Sequence, residues 1–149
     1  MKYFIFLSLL FCACMPTEQK EVNILPSPQK LEIKKGKFLF DQSTGVYADS
    51  IFIQQIPYLK SISPQALNGR GTVIALLHKA ALSDEEYIME INKDTLAIFA
   101  TTSEGMLRGM QTLRQLFPLQ KKTAYIPALF IHDYPRFPWR GMLLDCSRH

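Results

Sequence analysis

The chain has 149 residues, 48% of them hydrophobic and 20% charged, which is room for one domain and part of a second at the usual ~100–200 residues each. That composition excludes a disordered tail and a collagen-like repeat. Lys+Arg exceed Asp+Glu by 17 to 13, but the lysines are scattered between apolar runs, so the excess describes a solvated surface and not the basic stripe of a nucleic-acid binder.

The chain opens on Met1-Lys2, and Tyr3 to Phe11 is apolar apart from Ser8. Polar residues 16–21 end the run. It is much shorter than the ~20 residues a membrane-crossing helix needs, so it reads as a cleaved export signal. Cys14, directly after Ala13, resembles the lipid-attachment cysteine of a bacterial lipoprotein signal, although Phe11 stands where that signal usually has Leu. On this reading residues 1–14 are the signal, 15–21 a tether, and the only membrane contact is a lipid anchor. The alternative is an ordinary secretory signal with incidental cysteines. Both place the protein outside the cytoplasm, in the periplasm or at the outer membrane. Cys12 lies in the same segment and Cys146 is the third and last cysteine, so no disulfide framework is available. There is no CxxC or HExxH, and His78, His132 and His149 are isolated. Neither a metal nor another cofactor is expected.

Val22 to Pro28 carries two prolines and is expected to be extended. Leu31, Ile33 and then Phe38, Phe40 read as two short strands joined by a turn at Lys35-Gly36. Val46 to Ala48 is a third strand. Ser50 is placed as the N-cap of a helix carrying Ile51, Ile53, Ile56, Leu59 and Ile62, interrupted by Pro57. Thr72 to Leu77 is a continuous apolar run suited to a strand buried on both faces. Tyr87 to Ile91 and Thr95 to Ala100, joined by Asn92-Lys93-Asp94, form the clearest hairpin.

Ser103 is placed as the N-cap of the strongest helix. Met106, Leu107, Met110, Leu113, Leu116 and Phe117 recur at three- and four-residue spacing, and Pro118 stops the run. Gly105 and Gly109 lower helix propensity by about 1 kcal/mol each at interior positions, which points to close approach of the helix to a sheet or another domain. Ala128 to Ile131 is a further strand. Residues 132–138 form a proline-rich junction. Antiparallel strands with two helices on one face make an α+β layer, assigned to residues 22–136.

Trp139 to His149 does not belong to that layer. Gly141 to Leu144 reads as a buried strand that can neither cover both its faces nor pair its own backbone. In a parallel barrel the polar residues that do chemistry sit at strand ends and in the loops after them. The stretch Asp133-Tyr134-Pro135-Arg136-Phe137-Pro138-Trp139-Arg140-Gly141-Met142-Leu143-Leu144-Asp145-Cys146-Ser147-Arg148-His149 resembles the opening of the catalytic barrel in family 20 glycoside hydrolases, the β-N-acetylhexosaminidases. Cys146 stands where a small apolar residue is commoner. Gly105-Met106-Leu107-Arg108-Gly109-Met110-Gln111-Thr112-Leu113-Arg114-Gln115-Leu116 is similar to a helix of the same proteins, and Ile24, Pro26 and Pro28 resemble their opening strand.

The resemblance implies an α+β N-terminal domain followed by the first strand of a (β/α)8 barrel, here truncated at residues 137–149. It implies hydrolysis of terminal β-linked N-acetylhexosaminides with retention, the substrate's acetamido oxygen attacking the anomeric carbon. An Asp-Glu pair orients that group and exchanges the proton; the resemblance puts it several barrel strands beyond His149, so this chain alone is expected to be inactive. Arg140 matches the arginine that holds hydroxyls of the terminal sugar, work suited to a fixed guanidinium fork. Asp145, Arg148 and His149 are expected to shape the pocket floor. Trp139 reads as packing at a domain junction, Asp133 as stabilising the junction turn, and the Glu85-Glu86 pair as solvated. The competing readings are a non-catalytic scaffolding module and a family 84 hexosaminidase. The second is disfavoured because Met-Leu-Leu-Asp follows Arg140-Gly141.

Overall fold

The structure is a computed structural model that describes residues 22–62, 68–117, 123–137, 139 and 141. Six strands form one sheet: β1 (Lys30–Phe40), β2 (Gly45–Ala48), β3 (Val73–His78), β4 (Tyr87–Ile91), β5 (Thr95–Ala100) and β6 (Ala124–Asp133). Their order across the sheet is β1-β6-β4-β5-β3-β2. The expected antiparallel sheet is corrected to a mixed one: β1–β6, β4–β6 and β4–β5 are antiparallel, whereas β2–β3 and β3–β5 are parallel. Residues 50–62 between β2 and β3 are helical, and a crossover containing a helix returns the chain in the same direction.

Helix α1 (Ile56–Ile62) follows a 3-10 segment, Ser50–Gln55, and α2 is Ser103–Leu116. Pro57 is the second residue of α1 and starts it instead of interrupting it, a position where the missing N–H would be unpaired in any case. Asp49 occupies the N-cap of the 3-10 segment in place of Ser50. On α2 the N-cap is Thr102, whose hydroxyl accepts the Gly105 N–H. Both caps lie one residue before the expected position, within the ordinary reach of helix-boundary assignment.

The two strands expected within residues 31–40 are one strand with a bulge. Ile33 pairs with Leu129 and Lys37 with Pro127, so β1 carries two extra residues there. Gly36 adopts φ +113° at that point, where a side chain would be strained.

The strand pairing sets side chains of one parity in rows across the sheet. Leu31, Ile131, Met89, Ile98, Leu76 and Ala48 form one row through the full width of the sheet. This row faces α2, because a Cβ added at Gly109 would lie 2.5 Å from Ile98 Cγ2. One at Gly105 would lie 2.5 Å from the Glu86 carbonyl oxygen. Both glycines therefore let α2 lie directly on the sheet. Met106, Met110 and Leu113 are fully buried on its inner face, and Phe117 closes the end of the core against Phe40 with ring centroids 4.6 Å apart.

Candidate functional site

A groove of about 470 Å³ runs where three pieces of chain meet: the extended segment around Leu25, one face of α2, and the junction Tyr134–Phe137 after β6. On α2 that face is made by Arg108, Gln111, Thr112 and Gln115, residues three and four apart and therefore on one side of a helix.

Each wall is held by hydrogen bonds over long sequence separations. The Gln115 carboxamide accepts the Leu25 N–H at 2.9 Å and donates to the Leu25 carbonyl at 2.9 Å, as a neighbouring strand would. The Leu25-Pro26 peptide is cis. Asp133, the last residue of β6, accepts the Gln29 N–H at 3.0 Å. It pins the N-terminal segment, where the sequence placed it on the junction turn. Arg136 donates to the Ser27 carbonyl at 3.4 Å. Beneath the groove the buried hydroxyls of Tyr87 and Thr112 lie 2.7 Å apart. Burial pushes the Tyr87 phenol well above its ordinary value, so it remains protonated and serves packing.

Glu85 and Glu86 are not solvated alike. Successive residues entering β4 point to opposite faces, and each carboxylate finds its own partner. Glu85 bridges to Arg108 on α2, with Nη2 at 2.8 Å and Nε at 2.9 Å. Glu86 lies 2.6 Å from His132 Nε2 on β6 and also accepts the Ser83 N–H and hydroxyl. The Ser83 backbone donor, with His132 and the Ser83 hydroxyl, holds the Glu86 carboxyl below its ordinary value against the opposing effect of desolvation. Asp84-Glu85 is an Asp-Glu dipeptide by sequence. Its glutamate is engaged by Arg108, and the Asp84 carbonyl takes the Thr102 hydroxyl at the start of α2, which makes this turn the seat of the helix.

The groove is thus polar on its floor, where Glu85, Arg108, Gln115 and Asp133 are paired inside the domain. Its rim is apolar and open: Leu25 is 79% exposed and Phe137 69%, and Trp139, two residues on, is 86% exposed. Paired polar groups beneath exposed large apolar side chains favour covering by another protein surface over capture of a small polar ligand.

Arg140, Asp145, Arg148, His149 and Cys14 lie outside the described residues, as do Met142 to Leu144 and Cys146. Trp139 is described, and its indole lies close to Gly141. The sequence reading missed Gln115, Arg108 and Gln29. For the first two a signal existed in the 108–111–115 spacing of polar residues along one face of an otherwise apolar helix.

Residues 21–134 match the family model described as "Glycosyl hydrolase family 20, domain 2". The β-hexosaminidase of Vibrio furnissii is 25% identical over 141 residues, covering 89% of this chain and 23% of that protein. Among solved structures, the family 20 β-N-acetylhexosaminidase of Streptomyces coelicolor A3(2) superposes with a TM-score of 0.72 at 26% identity, over 85% of this chain and 29% of the other. The Vibrio harveyi exo-β-N-acetylglucosaminidase, in complex with N-acetylglucosamine, gives a TM-score of 0.65 at 26% identity, over 85% and 21%. The chain therefore spans about a quarter of the length of these relatives.

Proposed function

The chain belongs to glycoside hydrolase family 20, and we propose that it is the domain that seats the catalytic barrel of an exported β-N-acetylhexosaminidase. The observation that carries this reading is the groove. Glu85, Arg108, Gln115 and Asp133 on its floor are paired inside the domain, and its rim leaves Leu25 and Phe137 in water, with Trp139 two residues on also exposed. A surface of that kind is completed by a second packed body.

On this reading Gly141–Leu144 opens the barrel. Arg140 directs its guanidinium fork at two hydroxyls of the terminal sugar, and Asp145, Arg148 and His149 shape the floor around it. The substrate is a terminal β-linked N-acetylhexosaminide, a class supported by the Vibrio harveyi relative in complex with N-acetylglucosamine. Its acetamido oxygen displaces the aglycone, and an Asp-Glu pair on later strands orients that oxygen and carries the proton. Cys14 carries a lipid that holds the enzyme to the periplasmic or outer membrane.

The test uses two proteins. The purified 149-residue chain is expected to show no turnover of a chromogenic N-acetylglucosaminide. The chain extended by the reading frame downstream of His149 is expected to hydrolyse it, with Arg140→Ala raising KM. Turnover by the short chain, or an extended frame without an Asp-Glu pair, refutes the proposal. A scaffolding module that works without a barrel has one observation in its favour, a core that closes without further chain. It predicts that proteases spare residues after 136, whereas an orphaned barrel strand is cut there first.

A further inference from the structure

The bulge in β1 takes no part in that function. Its two extra residues push the strand outward, and residues 32–37 are all exposed. They include Ile33, 47% exposed, and three lysines in four positions, Lys34, Lys35 and Lys37. The nearest carboxylate in sequence, Glu32, bridges to Lys30 at 2.9 Å. Among the described residues no carboxylate pairs with Lys34, Lys35 or Lys37. Beside the bulge, Tyr125 on β6 is 66% exposed, opposite Leu39 and two residues from Pro127, the partner of Lys37.

Lysines alone are the usual protection of an edge strand against pairing with other chains. An exposed isoleucine and phenol among lysines that lack a carboxylate partner, with Lys34 Nζ 5.4 Å from the Phe130 ring centroid, do not serve that end. They fit a bilayer surface, where ammonium groups meet headgroup phosphates and the isoleucine and phenol settle at the headgroup boundary. Chain length agrees. Cys14 and Val22 are eight residues apart, at most about 29 Å of extended chain. A domain of this size has a radius of gyration of about 13 Å, so a lipid on Cys14 holds the domain within its own width of the membrane. β1 is the first strand beyond that tether.

We propose that the β1 bulge, Ile33–Lys37, rests against the anionic phospholipid headgroups of the membrane to which the chain is anchored, a proposal that builds on the lipid-anchor reading of Cys14. The full chain is expressed in a bacterial host that processes lipoproteins. Isolated membranes are treated with an amine-reactive reagent, and each lysine is followed by mass spectrometry. Lys34, Lys35 and Lys37 are expected to react at least about tenfold more slowly than the exposed Lys60 and Lys93. The difference is expected to vanish in about 1 M salt. Equal reactivity at all five sites, with lipid present on Cys14, overturns the proposal and leaves the anchor standing.

If Cys14 carries no lipid, the anchor reading fails, and the same footprint on the unlipidated chain with phosphatidylglycerol vesicles decides the bulge. Protection there but not with phosphatidylcholine supports it, and no protection overturns it. In that assay K34E/K35E/K37E is expected to lower vesicle partitioning about a hundredfold, while K60E/K93E leaves it unchanged. An equal loss in both variants would mean that net charge alone is at work and would overturn the assignment to the bulge.

Discussion

Replacing Gly109 by alanine probes how α2 meets the sheet. An alanine Cβ would stand 2.5 Å from Ile98 Cγ2 and 3.2 Å from Tyr87 Cδ2. Ile98 is fully buried, and its Cγ2 sits on a branched carbon with little rotamer freedom. The Tyr87 ring is held through its hydroxyl to Thr112 at 2.7 Å. Neither neighbour can swing aside, so the helix must lift by about 1 Å to restore ordinary contact. Alanine gains about 1 kcal/mol of helix propensity. Overpacking costs about 1–3 kcal/mol, and two tight contacts on immobile groups place this case at the upper end. The net expectation is a loss of about 2 kcal/mol, seen in urea unfolding of the chain followed by circular dichroism. The melting temperature should fall by about 8 °C. Ile98→Ala removes the opposing methyl and by itself costs about 2–5 kcal/mol. The double variant should be less destabilised than the sum of the singles by about 1–2 kcal/mol. A neutral or stabilising Gly109→Ala, or strict additivity with Ile98→Ala, refutes the argument.

Three further outcomes follow, two from the groove and one from Glu86 on the opposite face of the sheet. Gln115→Ala removes both hydrogen bonds to Leu25 and should cost about 1 kcal/mol, with faster proteolysis around Leu25 as the local readout. Arg108→Ala breaks an ion pair whose partners are 44% and 30% exposed, so urea unfolding should register a loss below about 1 kcal/mol. Glu86 has a folded pKa below its ordinary 4.5. Its stabilisation is therefore complete above that value and is lost as pH falls through the folded pKa. Unfolding measured between about pH 6 and 3 should show the native chain losing stability that Glu86→Gln, already without it, does not lose. Parallel curves for the two proteins would count against the His132–Glu86–Ser83 arrangement.

The elements legible in the sequence are those whose cause is local. The Tyr87–Ala100 hairpin was readable because alternation and the Asn92 turn both lie within a short window, and Asn92 Oδ1 does accept the Asp94 and Thr95 N–H groups. Helix α2 was readable because one apolar stripe and two glycines recur at helical spacing. Period-2 alternation, continued back through the start of β4, would have separated Glu85 from Glu86. Their partners, Arg108 and His132, lie 23 and 46 positions away, and no local pattern names them.

The sequence by itself determined the α+β class, the hairpin, the main helix and the family. Each is written in short-range periodicity or in contiguous motifs. Only the tertiary structure decided that the sheet is mixed, that β1 is one bulged strand, and that Gln115 grips Leu25 across 90 positions. The physical reason is the same in all three cases. Strand neighbours and side-chain clamps are chosen by which surfaces meet once the core has closed, and that choice depends on groups far apart in the chain.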